Sequence, residues 1–109
     1  MTEQKKTRRQ TLEEFVATKP DDAFSRYGLA LECMNDGDSA SAGLHFRALL
    51  ERNADYIPAY LMYGQLLVRE QLIEEAKRVL ANGIAAAKKG NEHARSEMKA
   101  LLTDRKSVV

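Results

Sequence analysis

Few residues of this chain have types that could do chemistry, and none of them is spaced for it. His45 falls between Leu44 and Phe46, and His93 stands beside Glu92; neither has a second histidine or a cysteine at ligand spacing, so no metal site is expected. Glu13-Glu14 and Glu74-Glu75 are adjacent pairs. On a helix their members point to different sides, which suits a solvated face and not a carboxylate dyad. No GxSxG elbow, Walker loop or dinucleotide fingerprint occurs. Cys33 is the only cysteine, so no internal disulfide can form; beside Met34 it reads as a small, half-buried hydrophobe. No catalytic residue, cofactor or metal is expected, and the chain is read as no enzyme.

The strongest charge feature is Lys5-Lys6-Thr7-Arg8-Arg9. RNA or an anionic lipid surface would suit it, but no aromatic residues interleave for base stacking, and acidic Glu13 and Glu14 follow. Residues 1–10 therefore read as a disordered, solubilising basic leader. Over the whole chain 17 basic residues stand against 16 acidic, a net charge of +1, so no global field favours nucleic acid or a membrane. Nowhere do about eighteen apolar residues follow one another, as a membrane span requires. The expected setting is a reducing, cytoplasmic one.

The elements that would position any site are helices. Apolar residues recur at spacings of three and four, and no period of two persists. Thr11 with Glu14 makes a capping box for a first helix over about Leu12 to Thr18, stopped by Pro20. Asp21 and Asp22 open a second, through about Met34, which ends at Asn35-Asp36-Gly37-Asp38. A third runs from about Ser39 to Arg52. Pro58, tolerated only in a first turn, starts a fourth over about Ile57 to Arg69. The fifth, about Ile73 to Lys88, ends in Lys88-Lys89-Gly90, and Asn91 caps a sixth through about Thr103. Residues 105–109 read as a frayed tail.

Two of these hairpins match when written one above the other. Phe24-x-x-Tyr27-Gly28-x-x-Leu31 pairs with Tyr60-x-x-Tyr63-Gly64-x-x-Leu67, and Ala42-x-x-x-Phe46-x-x-Leu49 with Ala76-x-x-x-Leu80-x-x-Gly83. The register is 36 residues between the first helices and 34 between the second, with two extra residues at the Met34–Gly37 turn. A small residue lets two helices approach closely, and large ones fill the space around the contact.

This pattern resembles the tetratricopeptide repeat, a 34-residue helix pair with large and small residues at these places. The resemblance spans residues 11–102. There is no tryptophan, and tyrosine precedes the small residue where the family more often has leucine. Ala54 and Lys88 stand where a proline often closes the unit. It implies an all-α fold of antiparallel hairpins stacked as a short right-handed superhelix: one domain over 11–104, repeats at 21–54 and 57–90, and a cap helix at 92–103.

The resemblance also implies a non-catalytic adaptor that holds a peptide or helix of a protein partner in its concave groove. Nucleic acid and membrane are not expected partners, and the chain is read as a monomer or weak homodimer. With Phe24, Tyr27, Gly28 and Leu31 taken as core, the groove stripe is Asp22, Ser25, Leu29 and Glu32. The second repeat then offers Leu61, Gln65, Val68 and Arg69, and the cap helix Arg95 and Lys99. That groove is acidic at one end and basic at the other. Family members that clamp chaperone carboxylates use lysines and asparagines here; Ser25, Leu29, Leu61 and Gln65 do not supply that clamp. The alternative is a homodimer joined through Leu29, Leu61 and Val68.

Overall fold

The computed structural model describes residues 6–87 and 91–103. Among them are six helices: α1 (Arg8–Thr18), α2 (Ala23–Asn35), α3 (Ser39–Arg52), α4 (Ile57–Arg69), α5 (Ile73–Ala86) and α6 (Glu92–Thr103). The chain divides into two compact units, Met1–Arg52 and Asn53–Val109. In the first, α2 pairs with α3 and α1 packs on α2; in the second, α4 pairs with α5 and α6 packs on both.

The helix starts follow from their caps. Asp22 accepts the Ser25 N–H at 3.0 Å and opens α2, and Pro58 lies in the first turn of α4. The start of α1 differs from expectation. Its capping box is Thr7 with Gln10, not Thr11 with Glu14: the Thr7 hydroxyl accepts the Gln10 N–H at 3.0 Å, and the Gln10 side chain accepts the Thr7 N–H at 2.9 Å.

The basic stretch is drawn into this helix because acids of its own unit meet it. The Arg9 guanidinium reaches Glu13 at 3.1 Å, Asp36 at 3.3 Å and Asp38 at 3.0 Å, tying α1 to the turn between α2 and α3. Lys6 pairs with Glu14 at 2.8 Å and Arg8 with Glu32 at 3.4 Å. Residues 6–10 are thus no free leader, and residues 1–5 lie outside the described part. At the other end of the chain, α5 stops at Ala86, with the Ala87 N–H on the Gly83 carbonyl at 2.8 Å; Lys88-Lys89-Gly90 falls outside the described residues.

The repeat is real, but its register is 34 residues throughout. Helices α2 and α4 are both 13 residues long and start at 23 and 57; α3 and α5 are both 14 and start at 39 and 73. The turns agree bond for bond. Asp36, Gly37 and Asp38 donate to Glu32, Met34 and Cys33, and Glu70, Gln71 and Leu72 donate to Leu66, Val68 and Leu67. Gly37 and Gln71, at φ of 78° and 63°, are the left-handed residues that close each helix.

The buried residues of α2, Ser25, Leu29, Ala30 and Cys33, align with buried Ala59, Tyr63, Gly64 and Leu67 of α4. The small residue at the crossing is therefore Ala30 and not Gly28, and it follows buried Leu29. The 36-residue match shifted α2 by two positions, which turns a helix by about 200° and exchanges its inner and outer faces. Phe24, assigned to the core, is accordingly 77% exposed. Where Tyr60 donates its hydroxyl to the Ala54 carbonyl at 2.6 Å, Arg26 takes the same place and reaches the Pro20 carbonyl at 3.1 Å.

The two crossings in the second unit are tight. A Cβ on Gly64 would stand 2.7 Å from Cγ of Leu80, and one on Gly83 2.6 Å from Cβ of Tyr60, so only glycine fits. Fully buried Met98 of α6 also lies against Gly83, which seats the sixth helix.

Candidate functional site

The second unit carries an open groove between α4 and α6, lined by Leu61, Gln65, Glu97, Ala100 and Leu101, with about 220 Å³ of space. Helix α4 is apolar on nearly every side because α5 and α6 cover two of them, leaving Leu61 and Gln65 on the third. Leu61 is half-buried and Gln65 exposed. The Gln65 amide has no hydrogen-bond partner among the described residues. Across from it, the Glu97 carboxylate has His93 at 3.3 Å as its ion-pair partner among the described residues. Ala100 and Leu101 supply the apolar floor on the α6 side.

A second void, of about 20 Å³, lies among Val68, Ile73, Ala76, Leu80 and Leu102. It is apolar and holds about one methyl group or water, too little for a ligand.

Of the ten residues expected in a groove, the structure brings Leu61 and Gln65 together. Val68 turns to the small void instead. Arg69 and Lys99 are exposed but do not line the groove, and Arg95 is half-buried with its Nε enclosed and unbonded among the described residues. The expected basic end is therefore not formed by Arg95 and Lys99; α6 turns Glu97 to the groove in their place.

In the first unit the expected stripe fails as a surface. Ser25 is 6% and Leu29 1% exposed, Asp22 is engaged as the helix cap, and Glu32 pairs with Arg8. With the register corrected, the face of α2 equivalent to Pro58, Leu61 and Gln65 is Phe24, Tyr27 and Leu31. It is apolar, not acidic, and the self-association reading loses Leu29 and Val68. Glu97, Ala100 and Leu101 line the groove where Arg95 and Lys99 were expected, because the sequence of α6 alone does not say which of its faces meets α4. The Arg95 N–H bonds to the Asn91 carbonyl at 3.0 Å as that of Arg26 does to Asp22 at 3.2 Å, and carrying the places of Leu61 and Gln65 over from that start gives Ser96 and Ala100, which finds Ala100 alone.

Elsewhere the chemistry-bearing residues are held in packing. Cys33 is fully buried, and burial pushes its thiol pKa up, away from the reactive thiolate. His45 is part-buried, with Nδ1 3.5 Å from Arg26; burial and that cation depress its pKa. Among the described residues no three or more His, Cys, Asp or Glu stand together to hold a metal ion, and no helix is long and apolar enough to cross a membrane.

No family model and no curated protein matches the chain. Solved structures do. A crystal structure of a tetratricopeptide repeat domain protein from Salinibacter ruber is 27% identical, with a TM-score of 0.73 over 81% of this chain and 100% of that one. A solution NMR structure of a tetratricopeptide repeat domain protein from the same organism is 27% identical, with a TM-score of 0.75 over 83% of this chain and 92% of that one. The fold is thus a helical repeat, and the chain is a small tetratricopeptide-repeat-like protein. Folds of this kind are generally protein–protein interaction modules and generally non-catalytic.

Proposed function

We propose that the chain is an adaptor that holds a peptide or helix of a partner protein in the groove between α4 and α6. The observation that carries this reading is the amide of Gln65, without a hydrogen-bond partner among the described residues, beside Glu97 on an apolar floor at the rim of a concave surface. The space of about 220 Å³ falls below the roughly 300–1,000 Å³ of small-molecule sites and suits one or two side chains of a chain laid across it. So small a contact gives modest affinity by itself. Arg69 and Lys99 act as rim charges outside the lining, and in the first unit the same register holds exposed Phe24 with half-buried Tyr27 and Leu31.

A photo-crosslinking residue at position 65 tests the reading. It is expected to join the chain to a discrete protein in cells, while the same residue at exposed Arg78 on α5 does not. Equal capture at both positions, or none at position 65, would overturn the groove.

A further inference from the structure

Resting on that reading, we infer that the groove selects a segment in which an apolar side chain is followed by a lysine or arginine. Its lining contains one ionisable group, Glu97, and that group is an acid. The partner of Glu97 among the described residues is His93, four residues earlier and almost wholly exposed, a contact in high dielectric that an incoming cation can replace. An incoming ammonium or guanidinium would meet Glu97 as a charge-assisted donor and Gln65 as a second acceptor. An incoming carboxylate would face Glu97 as a like charge, with only the Gln65 amide to receive it.

The floor sets the other half of the preference. Leu61, Ala100 and Leu101 offer apolar surface beside the charge, in a space of about 220 Å³ that admits a branched or aromatic side chain. The nearest exposed cations of the same two helices, Arg69 and Lys99, stand outside the lining and do not reverse its sign. The pairing is therefore an apolar residue on the floor with a cation at the rim, the opposite of a carboxylate clamp.

The test uses the full chain, isotope-labelled, with its backbone amides followed by NMR as short glycine-serine peptides are added. The peptides carry a central Leu-Lys, Leu-Glu or Ser-Lys pair. Leu-Lys is expected to move the amides of Leu61, Gln65, Glu97, Ala100 and Leu101, and the other two to move them less. Glu97→Gln is expected to weaken Leu-Lys binding by about 3-fold, the scale of an exposed ion pair. Glu97→Lys is expected to invert the order of Leu-Lys and Leu-Glu, with an otherwise unchanged spectrum showing that the fold is kept.

If Leu-Glu binds as well as Leu-Lys, or Glu97→Lys leaves the order alone, the charge selection is wrong while the groove stands. Should none of the peptides move a groove amide, both ideas fail. Movement of those amides with protein concentration alone would make a second copy the occupant and overturn the selection of a foreign segment.

Discussion

The two units share one 34-residue frame and are held together by different means. The second closes on glycines: Gly64 lets Leu80 in, and Gly83 receives Tyr60 and Met98. In the first, Ala30 serves the crossing and Phe46 lies edge-on to Tyr27 at 6.4 Å, and a set of ion pairs is added around that packing. Arg9 spans three carboxylates, and Arg52 joins Asp21 at 2.6 Å and the Pro20 carbonyl at 3.0 Å. A repeat therefore fixes where residues must be buried and where the chain must turn, and leaves open whether shape or charge does the holding. One unit is accordingly sensitive to added volume and the other to protonation.

The largest expected effect breaks the comparison at its glycines. Gly64→Ala puts a methyl group 2.7 Å from Leu80 Cγ and is expected to cost about 1–3 kcal/mol, with Gly64→Leu at or beyond the upper end. Gly28→Ala meets only Leu12 at 3.7 Å, an ordinary contact, and should stabilise by up to about 1 kcal/mol through helix propensity. Opposite signs in denaturant unfolding support the 34-residue register. The same sign for both would restore the 36-residue match.

Much of the fold was legible beforehand, and the error has a physical cause. The bounds of α3 and α4 follow from Pro58 and from the turn at Gly37, both stiff local signals. The face of α2 does not, because Ser25, Gly28 and Ala30 are all small enough for a close crossing, and residue type alone cannot choose among them. Burial chooses Ala30. Of the groove, Leu61 and Gln65 were visible as the third side of an apolar helix, with Gln65 the polar residue inside an apolar run. Glu97 was not, since its place depends on how Met98 seats against Gly83. The start of α1 was missed because Arg8 and Arg9 look solvated in sequence, and their carboxylate partners Glu32, Asp36 and Asp38 lie at least 24 residues on.

The next effect sharpens the contrast with acid. Hydrogen bonds from Ser41, with help from Arg9, hold the Asp38 carboxyl at about 2, below its ordinary 3.8; the Asp22 carboxyl is lowered by Ser25, and burial and Arg26 lower His45. All three belong to the first unit. In each case the unfolded chain takes up protons more readily than the folded one, so stability rises with pH across the window between the two values. The His45 contribution is present above its ordinary 6.5 and fades as pH falls past it; that of Asp38 fades between 3.8 and about 2. Acid titration followed by NMR should thus release α1–α3 before α4–α6, and His45→Gln should flatten the upper step. Simultaneous loss of both units would refute this division.

The smallest effect concerns the paired turns. Gln71 holds a left-handed backbone that Gly37 holds freely, so Gln71→Gly is expected to stabilise by a few tenths to about 1 kcal/mol, and Gly37→Ala to destabilise by about 1–2 kcal/mol. Melting temperatures of the two variants check this; a loss for Gln71→Gly would mean that its side chain contributes more than the backbone strain removes.

The uneven placement of aromatic side chains gives the protein a built-in spectroscopic label. It has no tryptophan, and of its four tyrosines Tyr56, Tyr60 and Tyr63 lie in the second unit, the last two buried. Near-ultraviolet circular dichroism and tyrosine emission therefore report chiefly on α4–α6, whereas the far-ultraviolet helical signal counts all six helices alike. Superposed with no added dye or cysteine tag, the two curves reveal whether the units melt as one cooperative block or in turn, since coincident transitions are the signature of a single step. The same pair of signals would assign each of the variants above to the unit it disturbs.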